Sequence, residues 1–219
     1  MPEANAPKAL LFTAPGCPHC PGIKAALEKL HAEGVVGELE VVSIAEDQSR
    51  AAEFGVRSVP WLKLGEFILT GAQTPQQLRQ WAEKAAGSGD MEGYLEHQLA
   101  NGELAEVEAL LEKEPQHLET LLALLQKPEQ KIQVRLGVSA VIEGMEGSEA
   151  LQKLLPPLIT MSEHSDHQLR SDACHFLGLS HSKEAEAALR QRLEDDSKEV
   201  REIAAESLEL IWQHAAKTH

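Results

Sequence analysis

Ala9-Leu10-Leu11-Phe12-Thr13-Ala14-Pro15-Gly16-Cys17-Pro18-His19-Cys20-Pro21 is the stretch that decides the fold. Its first four residues form a short continuous apolar run, the pattern of a strand covered on both faces. From Pro21 to Ala32 the apolar Ile23, Ala26, Leu27 and Leu30 recur at helical spacing, and Gly34 stops the helix. Cys17-Pro18-His19-Cys20 therefore lies where a strand hands over to a helix. Two cysteines at this spacing across a helix start close a disulfide with little movement. The helix end also offers unpaired N–H groups and the positive end of the dipole, which both favour a thiolate. Pro18 and Pro21 suit a first turn, where their missing N–H groups would have had no helical partner.

Working outward, Leu39 to Ile44 is a second β-rich run, and a short helix is expected over Gln48 to Phe54. Trp61-Leu62-Lys63-Leu64 and Phe67-Ile68-Leu69 flank Gly65-Glu66, a Gly-X pair that suits a tight hairpin. Thr74-Pro75-Gln76-Gln77 reads as a helix start, with Thr74 as N-cap, Pro75 in first place and Gln77 completing a capping box. The order β-α-β-α-β-β-α fits a four-stranded mixed sheet with helices on both faces.

Charge divides the chain. Residues 1–87 carry 8 Lys/Arg against 10 Asp/Glu, whereas residues 88–219 carry 12 against 25. The change falls at Ala86-Gly87-Ser88-Gly89-Asp90, a linker-like stretch, and sets two domains, 1–87 and 88–219. The second is read as helix after helix. Val134-Arg135, Leu169-Arg170 and Val200-Arg201 each open an apolar helix, with the arginines 35 and 31 residues apart. Three positions after each Arg stands Val138, Ala173 or Ala204, four after stands Ser139, Cys174 or Ala205, and seven after stands Ile142, Leu177 or Leu208. That period is the mark of stacked helical pairs. It resembles the HEAT-like α-solenoids (of the PBS-lyase type) over roughly residues 117–212.

The formal charge of −15 makes phosphate-bearing partners unfavourable, so no nucleic acid is expected. Apolar runs as short as Ala9–Phe12 cannot cross a bilayer, and Met1 to Lys8 is polar and Pro-rich, unlike a leader. No membrane partner and a cytoplasmic location are expected. Three cysteines in 219 residues exclude a disulfide-scaffolded miniprotein.

The CxxC after the first strand, the element order and Ser58-Val59-Pro60 before the third strand together resemble the thioredoxin superfamily over about residues 7–86, in compactness its glutaredoxin-like members. Gly71 matches a usual glycine at the end of the last strand. The resemblance implies a thiol–disulfide oxidoreductase working on protein thiols and disulfides, regenerated by a reducing or oxidising recycling partner, with no cofactor. It makes Cys17 the exposed attacking thiol and Cys20 the resolving one. It also makes Pro60 a cis proline lying against the CxxC, and gives Val59 backbone hydrogen bonds to substrate. Pro18 and His19 tune the pair, because a cationic His19 would favour the thiolate and raise the reduction potential. Trp61, next to Pro60, is a candidate for the docking groove or for the core. Two positions depart from the family pattern: Leu11 stands where thioredoxins bury an acid, and Gly16 where they carry tryptophan. The Pro-His dipeptide resembles oxidising DsbA-type proteins, whereas an unsignalled cytoplasmic chain points to reduction, as in a protein-disulfide reductase serving cell redox homeostasis. Lys63 is a candidate stand-in for the missing acid.

Other readings of these residues stay open. Cys17 and Cys20 could be half of a zinc site, although no second CxxC exists and His31 is the other histidine of the first 87 residues besides His19. They could also be inert. Cys174 fits a small buried slot of the repeat, and Trp81 and Trp212 fit apolar helical stripes. His164, His167, His175 and His181 read as solvated rather than metal-binding, and metal ligands are expected to be none. The helical domain is expected to bind a client or partner protein. The rival function is a redox-sensing interaction scaffold without turnover.

Overall fold

The computed structural model describes residues 6–87 and 89–217. The chain divides into two compact units, Met1–Asp90 and Met91–His219.

The first unit runs β1 (Ala9–Thr13), α1 (Cys20–Ala32), β2 (Leu39–Ser43), α2 (Gln48–Glu53), β3 (Trp61–Leu64), β4 (Phe67–Thr70) and α3 (Pro75–Ala86). Its four-stranded sheet has the order β2-β1-β3-β4, parallel between β1 and β2 and antiparallel elsewhere. The central strands β1 and β3 alternate residues between two buried faces, which is why their sequences read as nearly unbroken apolar runs. Leu11, Leu62 and Leu69 share register on one face with buried Ile23, Leu27 and Leu30 of α1 and Leu78 and Trp81 of α3. Phe67 meets Trp81 edge-on at 5.1 Å there. Phe12 and Trp61 point the other way, onto Ala51 and Phe54 of the α2 segment. Helices thus cover both faces. The capping box expected at Thr74 is formed in full, with Thr74 Oγ1 accepting from the Gln77 amide and the Gln77 side chain accepting from the Thr74 amide.

The second unit is helical over its described residues: α4 (Met91–Ala100), α5 (Leu104–Lys113), α6 (Leu118–Ala123), α7 (Ile132–Glu143), α8 (Glu149–Lys153), α9 (Leu155–Met161), α10 (His167–Leu179), α11 (Glu186–Arg192) and α12 (Lys198–Lys217), with 3-10 turns between some of them. Helix α10 packs against α7 on one side and α12 on the other, while α9 and α11 form a second layer. Gly178 lets α10 and α12 approach. A Cβ there would lie 2.7 Å from Ser207 Cβ, closer than real side chains come.

The repeat read from the sequence has a structural meaning. Each marker arginine is the fourth residue of its helix and ties down the turn before it. Arg135 donates to the Leu125 carbonyl at 3.0 Å, Arg170 to those of His164 and Ser165 at 2.9 and 3.0 Å, and Arg201 to those of Asp195 and Asp196 at 2.6 and 3.1 Å. These carbonyls have no helical partner, so the guanidinium satisfies them. The next copy supplies the counter-charge: Arg135 meets Asp172 at 2.8 Å, and Arg170 clasps Asp195 through Nε at 2.9 Å and Nη2 at 2.8 Å.

The slots three and seven residues after each Arg are buried in all three copies. The slot four after is not, which corrects the sequence expectation. Cys174 is fully buried, Ser139 is half-buried and Ala205 is exposed. Helix α10 is packed by α7, α9, α11 and α12, so the slot is covered there. Trp212 needs a second correction: 44% exposed, it sits at the edge of the apolar stripe of α12 with Arg190 over its ring at 5.3 Å. Trp81 packs as expected. No helix among the described residues is long and apolar enough to cross a membrane.

Candidate functional site

The register of the sheet brings three loops to one end of the first unit. Phe12 pairs with Trp61, and Trp61 with Thr70. The chain leaving β1 at Thr13, the chain entering β3 through Val59-Pro60 and the chain leaving β4 at Gly71 therefore share an edge. The Gly71 amide donates to the Pro60 carbonyl at 3.1 Å, which fastens the last two together.

Beyond Thr13 the chain makes a tight turn. Gly16 adopts φ +81, and the Cys17 amide donates to the Ala14 carbonyl at 3.2 Å. Helix α1 begins at Cys20, with His19 as N-cap and no side-chain cap bond. This corrects the expectation that Cys17 and Pro18 lie in the first helical turn. Cys17 instead belongs to the turn that its amide closes onto the Ala14 carbonyl. Pro21 does occupy the first turn.

Cys17 and Cys20 are joined as a disulfide, their Cα atoms 5.6 Å apart. Cys17 is partly exposed, whereas Cys20, the first residue of α1, is 5% exposed. Pro18 and His19 are exposed. The Cys20 amide donates to Cys17 Sγ at 3.2 Å. One unpaired N–H of the helix end is thereby aimed at the accessible sulfur, where a thiolate would carry its charge. Leu11, where an acid would stand in the family pattern, is fully buried on its strand.

The Val59–Pro60 peptide is cis. Pro60 is buried and Val59 half-buried. Trp61 is not in a groove. Its side chain is 2% exposed and meets Phe12 at 5.6 Å and Phe54 at 5.9 Å, both edge-on. β3 is a central strand, and position 61 faces α2, so the indole is core. Lys63 shares that face, its ammonium 5.8 Å from the Phe54 ring centroid. Gln73 is a neighbour the sequence did not signal. Its Nε2 donates to the Thr70 carbonyl at 3.1 Å, and its Oε1 is buried with no hydrogen-bond partner among the described residues. A lone glutamine in a loop carries no pattern that could have flagged it.

Cys174 lies in the second unit, and burial pushes its thiol up to about 12. Three of the four histidines singled out in that unit go to carboxylates or a turn. His175 meets Glu143 at 3.1 Å, His181 meets Glu146 at 3.0 Å, and His164 accepts from the Asp166 amide. Among the described residues no three His, Cys, Asp or Glu side chains converge as metal ligands do.

Comparison with known proteins agrees with this geometry. A family model described as "Thioredoxin domain" matches residues 10–83, and one described as "HEAT repeats" matches residues 155–218. The thioredoxin of Methanocaldococcus jannaschii is 34% identical over 79 residues, 35% of this chain and 93% of that protein. With its sheet, its Cys17–Cys20 pair and that relative spanned almost end to end, the chain belongs to the thioredoxin family, the family domain being followed by HEAT repeats.

Proposed function

We propose that the protein is a thiol–disulfide oxidoreductase that exchanges the Cys17–Cys20 disulfide with protein thiols, and that the helical domain recognises its client. The observation that carries the redox reading is the Cys20 amide aimed at the partly exposed Cys17 sulfur, in a family whose chemistry is thiol exchange.

In the reducing direction, the Cys17 thiolate attacks one sulfur of a substrate disulfide. A Cys17–substrate disulfide forms, and the other substrate sulfur leaves as a thiolate. Cys20, deprotonated, then attacks Cys17 Sγ, closes the Cys17–Cys20 disulfide and releases the second substrate thiolate. Two electrons pass to the substrate, and a dithiol partner restores the reduced pair. Run backwards, the same steps oxidise a client dithiol. The exposed His19 and the helix end favour the Cys17 thiolate, and burial of Cys20 delays resolution until Cys17 has reacted. Val59 offers its backbone to the bound chain beside Pro60.

The test uses insulin disulfides as substrate. Cys17→Ser should abolish turnover, and Cys20→Ser should accumulate a mixed disulfide on Cys17 that a reductant releases. Undiminished turnover by Cys17→Ser would remove the proposal. Oxidation that stops at one equivalent and alters partner binding would instead favour the redox sensor.

A further inference from the structure

Asparagine occurs twice in the chain, in two different settings: Asn5 precedes Ala6, whereas Asn101 precedes Gly102. Asn101 and Gly102 lie in the turn between α4 and α5, and both are exposed. Glycine after asparagine is a chemically special case, because it has no side chain to shield its backbone nitrogen from the neighbouring side-chain carbonyl. Gly102 adopts φ +77, and a Cβ built on it would meet nothing within 4 Å, so no other element crowds the turn there.

Hydrogen bonds hold the pair in the folded turn. The Asn101 amide donates to the His97 carbonyl at 3.1 Å, the Gly102 amide to the Leu99 carbonyl at 3.1 Å and the Glu103 amide to the Gln98 carbonyl at 2.9 Å. Asn101 Nδ2 lies 3.0 Å from His97 Nε2. All of these contacts sit at the C-terminal end of α4, and helix ends open at the lowest free-energy cost in a fold. Once the Gly102 amide leaves the Leu99 carbonyl, its nitrogen can reach the Asn101 side chain. We propose that Asn101-Gly102 is a site of spontaneous deamidation, with water as the co-reactant and opening of this turn as its gate. The Gly102 nitrogen bonds to Asn101 Cγ and gives up its proton, the Cγ–Nδ2 bond breaks, and Nδ2 leaves as ammonia. Water then opens the five-membered imide at either carbonyl, giving aspartate or isoaspartate. One water is consumed, one ammonia is released, and nothing is oxidised or reduced. Aspartate puts a carboxylate two residues from Glu103, the N-cap of α5, whereas isoaspartate adds a methylene to the backbone of the turn. The inference concerns the helical domain and is independent of the redox chemistry.

The experiment incubates the full chain at mildly alkaline pH, in buffer and in urea, and follows its tryptic peptides by mass spectrometry. Residues 85–113 form one such peptide, with Asn101 as its single asparagine. In the folded protein this peptide should convert to the mass of a carboxyl in place of an amide and split into two chromatographic peaks, aspartate and isoaspartate. The peptide carrying Asn5 should stay unchanged over the same time. Urea should speed the conversion at least about tenfold, because the turn no longer has to open first. Gly102→Ala should slow it several-fold in urea, where no fold is at stake, and Asn101→Gln should abolish it. A folded protein whose 85–113 peptide is unmodified after the urea sample has fully converted overturns the inference. Equal conversion of the Asn5 peptide overturns it too, as does conversion that persists in Asn101→Gln. No arm of the experiment reads turnover through Cys17, so loss of the redox reading is seen separately.

Discussion

At the scale of single residues, the three cysteines show how environment sorts one chemical group into two roles. Cys17 and Cys20 stand at a helix end, one of them accepting an amide N–H. Cys174 has no such help: it is fully buried, and desolvation pushes its thiol up to about 12. After reduction of the native protein, a thiol reagent at pH 8 should therefore label Cys17 first, the buried Cys20 more slowly, and spare Cys174 until denaturant is added. Three equivalents of rapid labelling in the native state would contradict this. Trp61 gives the converse lesson. Its place next to Pro60 suggested a groove, but alternation along a central strand turns it onto Phe12 and Phe54. Sequence neighbours of a site need not face it.

Among elements, the arginine ladder of the repeat is the most informative feature. The Arg170 guanidinium holds the Asp195 carboxyl well below the usual carboxylate range, with side chains only 10% and 3% exposed. Removing Arg170 leaves the buried Asp195 with only the longer ion pair to Arg192 at 3.5 Å. Arg170→Met should cost about 3–5 kcal/mol at neutral pH, measured by urea denaturation. The sign of the pH dependence follows from the depressed value. Asp195 stabilises the fold above its unfolded value of about 3.9, and that contribution is lost as pH falls toward the folded value. Protonation also relieves the poorly compensated charge in the variant, so its deficit should shrink below about pH 4. A deficit that stays constant down to pH 3 would mean that the pair is not the cause. These arginines were visible in the sequence as a period, because a repeated contact needs a repeated residue. Their partners were not visible, because Asp172 and Asp195 come from the neighbouring copy and look like ordinary surface acids. The start of α1 was misplaced for another reason: the turn closed by the Cys17 amide on the Ala14 carbonyl leaves no periodic trace in the sequence. The strands and the hairpin were legible because alternating burial leaves a direct trace in apolar spacing, and the Thr74 cap because its residues bond one another.

On the scale of the whole molecule, charge and chemistry are segregated. The redox pair lies in the part with near-balanced charge, and the excess acid lies in the helical part. Each unit has its own core: one is built on the four-stranded sheet, and the other joins Leu95 through Ile211 across the helices. A chain ending at Asp90 should therefore reduce a small disulfide as fast as the full protein, while its Cys20→Ser form should capture the native client more weakly. Tethering a docking surface to a reactive thiol raises the local thiol concentration, and that gain vanishes when the tether is cut. Equal capture by the two forms would take recognition away from the helices.

The bond from the Cys20 amide to the Cys17 sulfur also gives the protein a built-in spectroscopic reporter. While the disulfide stands, that proton meets a neutral, weakly accepting sulfur; after reduction it meets a sulfur that carries charge. A single backbone resonance, followed in a nitrogen-edited NMR spectrum, should therefore move downfield on reduction and exchange more slowly with solvent. The redox state of the protein can then be read in solution without attaching a dye to either thiol.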